Sequence, residues 1–100
     1  HPVALGMVAA GAGLRPAEVA LAAAHLAVTG PATAATRLLG LDPLAVTGVL
    51  ARLADQVAAT AHLGDASAAL PPPALPARAG LRLDLLAERH RRADLRMFAS

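Results

Sequence analysis

Apolar residues recur along this chain at every third or fourth position, and no stretch alternates with a period of two. That pattern predicts helices throughout and no strands. Pro2 can open a first helix that ends around Gly11 and Gly13. Pro16 opens a second, with Glu18 favourably placed in its positive first turn. This second helix is apolar nearly all round, its polar stripe reduced to Glu18, His25 and Thr29, which predicts the central and most enclosed element. At Gly30–Pro31 either a new helix starts or one long helix kinks. Thr33 and Thr36 continue the polar stripe across the break and favour the kink. Gly40 closes the segment.

Asp42–Pro43 reads as an N-cap followed by proline at the first helical position. The helix it starts is expected to run to about Leu63, with Val46, Val49, Leu50, Leu53 and Val57 as its buried stripe and Gly64 as its C-cap. Residues 64–80 are different material, ending in Leu70-Pro71-Pro72-Pro73-Ala74-Leu75-Pro76, and predict an extended polyproline spacer. A last helix follows from about Leu81 to Arg92, with Leu83, Leu86, His90, Ala93 and Met97 on one stripe and Glu88→Arg92 as a supporting pair. The expectation is an all-α, compact bundle of four to five helices. It divides into an alanine-rich helical core (1–63), a proline-rich linker (64–80), and a C-terminal helix with a partner-binding tail (81–100), all within one domain.

Composition narrows what such a bundle can do. Alanine occurs 28 times and leucine 18 times, all nine basic residues are arginine, there is no cysteine, and Phe98 is the only aromatic. Zero cysteines exclude a disulfide scaffold and thiol or Cys-zinc chemistry. The core must rest on Leu and Val, with helices drawn close through Ala, and is thin for independent stability. The chain starts at His1 rather than Met, which is expected of a piece of something longer. Residues 1–75 carry three Arg and four acids, residues 76–100 six Arg and three acids, so the basic excess belongs to the C-terminal quarter. Val19 to Thr36 has no charged residue, but Gly30–Pro31, His25 and its many alanines point to a buried helix rather than a membrane span. Residues 1–14 lack the basic start of a signal peptide, and the expected location is cytoplasmic.

Candidate chemistry is sparse. The histidines at 1, 25, 62 and 90 form no metal-binding spacing, and His25 and His90 read as packed, hydrogen-bonded residues. The only serines are Ser67 and Ser100, and Asp84/Glu88 is a like-charge pair on a solvated face, so nothing supports an enzyme. Gly11-Ala12-Gly13 follows no strand and reads as a helix–helix turn. Pro73-Ala74-Leu75-Pro76-Ala77-Arg78 fits an SH3-type PxxPxR peptide, yet a plain spacer explains it better. Six arginines within residues 78–96, with Phe98 beyond them, favour a protein partner, because Arg and aromatic residues anchor interfaces. The alternative is a small basic helical module that binds nucleic acid.

The tail Leu95-Arg96-Met97-Phe98-Ala99-Ser100 resembles the Arg-Leu-Phe-x-Ser ending of the urease accessory protein UreF family. His90 stands where that family has the His of its Met-Arg-His-Glu segment, and Asp84-Leu85 fits the opening of its last helix. Ala32-Thr33-Ala34-Ala35-Thr36-Arg37-Leu38-Leu39 and His1-Pro2-Val3-Ala4-Leu5-Gly6 are similar to two of its upstream segments, in the same order. Leu41-Asp42-Pro43, Arg91 and Asp94 depart from its pattern. The resemblance covers the chain and corresponds to about the C-terminal half of a member. It implies a helical, non-catalytic, cofactor-free protein that dimerises and binds a UreD-type accessory protein (UreH in some species). With it, the protein recruits the UreG GTPase for nickel insertion into apo-urease. Carried over by position, the resemblance makes Arg96, Met97, Phe98 and Ser100 partner contacts, with His90 helping to place the last helix. It implies neither nucleic acid nor membrane as a partner.

Overall fold

A computed structural model describes residues 2–76 and 80–93. Five α-helices follow one another: α1 (Pro2–Gly11), α2 (Pro16–Leu39), α3 (Pro43–Arg52), α4 (Ala54–Ser67) and α5 (Leu81–Arg91), with a single 3-10 turn at Pro72–Ala74 before the last. The protein is an all-α bundle, and no strand occurs among the described residues.

The helix boundaries follow local chemistry. α1 unwinds at Gly11, Gly13 takes a left-handed φ of 73°, and the Leu14 amide donates to the Ala9 carbonyl at 3.0 Å, making the expected helix–helix turn. At the start of α2 the Arg15 amide donates to Glu18 Oε2 at 2.7 Å, the reaching-back half of a capping box. Its other end closes on Gly40, at φ 61°. Asp42 accepts a 3.0 Å hydrogen bond from the Leu44 amide, with Pro43 behind it, as the sequence predicts for the start of α3.

One helix, α2, runs through the Gly30–Pro31 step, the single-helix alternative that the polar stripe favours. Proline disfavours α geometry in the residue before it by clashing with that residue's Cβ, and Gly30 has none, so the helix continues. The expected single helix from 43 to 63 is two, separated at Leu53 (φ −87°, ψ −5°), whose amide is shared between the Val49 and Leu50 carbonyls. No glycine or proline marks this break. Gly64 is not a C-cap: α4 continues through it to Ser67, so irregular structure starts only at residue 68. Extended geometry persists at Pro71 and Leu75, but Pro72–Ala74 coil into the 3-10 turn instead of continuing the polyproline spacer.

α2 is the axis of the bundle, touching α1, α3 and α4, most extensively α4. Along it Ala20 faces Gly64, Ala24 and Val28 share a pocket wall with Leu53, Val57 and Thr60, and Ala32 and Thr36 face Val46 and Leu50. Residue numbers rise on one side and fall on the other, so α3 and α4 fold back antiparallel along α2. The approach is tight at Gly64, where a Cβ would stand 3.3 Å from that of Ala20.

The core is small. Among the described residues only Ala9 (3% exposed) and Ala61 (7%) are buried. Val46, Leu50, Leu53 and Val57 are half-buried as a stripe, while Val49 is exposed rather than buried. α2 is central but not enclosed, since none of its residues is buried. The cause is that alanine brings helix axes together without extending far enough to cover neighbours. The radius of gyration is 15.8 Å, against about 13 Å for a typical 100-residue domain. The surface is 8326 Å², against roughly 5,200 Å² for a folded monomer of this mass.

Candidate partner-binding surface

Two apolar surfaces and one charged helix stand out. The first surface is an open groove of about 700 Å³ between α1, α2 and the end of α4, walled by Leu5, Ala10, Val19, Ala23, Leu26 and Gly64 and carrying no ionisable lining residue. Beside it Val3, Met7 and Val8 of α1 are exposed. Across the α2/α4 pair lies a smaller pocket of about 260 Å³ rimmed by Arg15, Glu18, His62 and Asp65. The Arg15 amide and then its guanidinium, at 3.2 Å, hold the Glu18 carboxyl below the usual glutamate range, and Glu18 raises Arg15 in turn. α2 is also long and apolar enough to cross a membrane by length and composition.

The second apolar surface belongs to α5, which packs against no other helix among the described residues. Leu81 (70% exposed), Leu83 (71%), Leu85 (59%) and Leu86 (50%) are all open. Gly80 starts the helix, its carbonyl accepting from the Leu83 and Asp84 amides. Asp84 in the first turn and Arg89, His90 and Arg91 in the last complement the helix dipole. Glu88 is the electrostatic centre. It receives two 2.8 Å hydrogen bonds from Arg91, through Nε and Nη2, and one of 2.8 Å from Arg92 Nε. The Arg91 fork, then Arg92, hold its carboxyl below the usual range, and Arg91 is raised by the same contact. The sequence anticipates the Arg92 pair but not the Arg91 fork. Three- and four-residue spacings both bring side chains together on a helix, so spacing alone did not single it out.

The histidine readings change. His25 and His90 are exposed rather than packed. On α2 the Thr29 hydroxyl donates to the His25 backbone carbonyl at 2.9 Å. His90 sits in the last turn of α5, which packs against no other helix among the described residues. Among the described residues no three His, Asp or Glu side chains gather as a metal site. Arg96, Met97, Phe98 and Ser100, the tail contacts expected from the sequence, lie outside the described residues, as does Arg78 of the PxxPxR segment. Sequence reasoning missed the groove. Its only signal was the cluster of small residues at Gly6, Ala20, Ala23 and Gly64, which spacing could not place together.

Fold and surface together define an all-α helical bundle with an uncharged groove and an arginine–leucine helix standing off it. A family model described as UreF matches residues 1–54, the span of α1 to α3. Proteins named urease accessory protein UreF are 45% identical over 99% of the chain in Mycobacterium sp. (strain JLS), 41% over 98% in Mycobacterium marinum, and 40% over 98% in Mycolicibacterium vanbaalenii. The chain spans 42–44% of the length of these relatives. No solved structure gives a significant match. The chain belongs to the UreF family. Nothing in these comparisons supports the nucleic-acid-binding alternative.

Proposed function

We propose that this chain works as a urease accessory protein, a non-catalytic scaffold and regulator in the cytoplasm. It joins a UreD-type accessory protein and the UreG GTPase, as a homodimer, so that nickel is inserted into apo-urease. The observation that carries this reading is the similarity to UreF proteins across 98–99% of the chain. The chemistry agrees with it: exposed leucines and arginines on α5 suit protein partners, and the uncharged groove suits an apolar helix. In this reading the helical core of 1–63 extends through α4 to Ser67, the rest of 64–80 is a spacer and 81–100 is the partner-binding end, with Arg96, Met97, Phe98 and Ser100 as contacts and His90 beside them.

The test is co-purification with the UreD-type and UreG proteins, alongside urease activation in cells. Arg96→Ala, or removal of Met97–Ser100, is expected to leave helical content unchanged and to abolish capture of the pair. Undiminished capture and activation would overturn the tail assignment. A chain that captures neither protein would overturn the scaffold role.

A further inference from the structure

α5 carries four exposed residues, Arg82, Leu85, Leu86 and Arg89, at the i, i+3, i+4, i+7 spacing that places them on one face. The ion pairs on this helix are unevenly distributed. Glu88 is held by Arg91 and Arg92, whereas Arg82 and Arg89 have no carboxylate within ion-pair distance among the described residues. Arg82 and Arg89 are seven residues apart, about 10 Å of rise along the helix axis, with the two leucines between them in sequence. Asp84 falls on the opposite side, and Glu88, held by Arg91 and Arg92, borders the strip beside Leu85, so the face itself is basic and apolar.

We propose that the Arg82/Leu85/Leu86/Arg89 face is a docking strip for an acidic amphipathic helix of a protein partner, presenting two carboxylates about two turns apart astride an apolar residue. Charge complementarity selects this occupant. Arg forms bidentate pairs with carboxylates, and such pairs gain strength when flanking leucines exclude water. A nucleic acid would use the arginines but leave both leucines without a counterpart. The inference rests on the assembly reading above and specifies a surface the tail assignment does not include. Two arginines on one helix face also fix register: a partner whose carboxylates sit one turn apart cannot engage both.

The experiment is binding of the whole chain to the UreD-type accessory protein and to UreG, each titrated separately by fluorescence anisotropy at two salt concentrations. Arg82→Glu/Arg89→Glu should weaken binding to one of the two at least tenfold, as should Leu85→Ala/Leu86→Ala. Arg91→Gln, on the far face, should change it less than threefold. Circular dichroism accompanies each variant. Should the reversal lower helicity, the milder Arg82→Gln/Arg89→Gln must still weaken binding at least threefold. Wild-type binding that survives both double substitutions overturns the docking strip and leaves the scaffold reading standing. Wild-type chain that binds neither protein overturns both. Tighter binding to a random-sequence DNA duplex or to phosphatidylglycerol vesicles than to either protein, lost on the arginine reversal, overturns the acidic-helix occupant.

Discussion

The contact between Ala20 and Gly64 sets the spacing of α2 and α4, and a pair of glycine substitutions measures it. In a helix interior alanine is favoured over glycine by about 0.8–1.0 kcal/mol. Gly48 of α3 realises that gain in full, because a Cβ there meets only the flexible end of Arg52, at 3.7 Å from Nη1. At Gly64 the same methyl would stand 3.3 Å from the Ala20 Cβ, closer than ordinary carbon–carbon contact, so the two helices must separate by a few tenths of an ångström. Small gaps of this order already forfeit a sizeable share of the dispersion well of every atom pair along the seam. We expect that loss to cancel the propensity gain. Gly48→Ala should therefore stabilise the chain by about 0.8–1.0 kcal/mol and Gly64→Ala by about 0. Gly64→Val, which adds branched volume at the seam, should destabilise by about 1–3 kcal/mol. Urea denaturation followed by far-ultraviolet circular dichroism reads all three. Equal stabilisation by Gly48→Ala and Gly64→Ala would refute the close packing of α2 on α4.

Two further outcomes follow from local chemistry. Pro31 leaves the Ala27 carbonyl without its helical donor, so Pro31→Ala should stabilise the chain by about 2–3 kcal/mol in thermal denaturation, and an unchanged midpoint would contradict the continuous α2. Glu88 has its carboxyl lowered by Arg91 and Arg92, so its stabilisation of α5 is complete above the ordinary glutamate value near ~4.3 and is lost as pH falls through the lower folded value. A carboxyl titration followed by nuclear magnetic resonance should place its midpoint below that of a free glutamate, and Arg91→Gln should move it upward.

The parts of this fold legible in the sequence are those whose cause is local. Asp42 caps because its carboxylate reaches the Leu44 amide two residues on, and Gly40 ends α2 because only a residue tolerant of positive φ fits there. Gly64 shows where local reasoning stops. A glycine near the end of a helical pattern looks the same whether it caps the helix or admits a neighbour, and the decision was made by Ala20, 44 positions away. The break at Leu53 likewise has no residue of its own to announce it. Burial was misjudged for a related reason. Helical periodicity identifies an apolar face but not whether another element covers it, and α2 has partners on some sides only. For the candidate site, the sequence located α5 and the Glu88–Arg92 pair. It could not show that Arg91 joins them, and so could not separate the paired arginines from Arg82 and Arg89.

The same pairs determine what docking costs. An 11-residue helix that packs against no other helix among the described residues is marginal in water, because nucleation fixes several residues before hydrogen bonds compensate. In α5 the compensation is internal: Asp84 at the positive end, three basic residues at the negative end, and the Glu88 fork across the last turn. Asp84 and Arg91 lie away from the Arg82/Leu85/Leu86/Arg89 face and the Glu88–Arg92 pair borders it beside Leu85, so these contacts hold the helix without engaging Arg82 or Arg89. Weakening them should lower affinity through the helix rather than through the interface. Glu88→Gln is the variant that separates the two routes. It should loosen binding modestly and remove much of its loss in acid, while Arg82→Glu/Arg89→Glu should loosen it strongly at every pH. If Glu88→Gln were as damaging as the arginine reversal, Glu88 itself would belong to the interface, and the division of α5 into a supporting face and a binding face would fail.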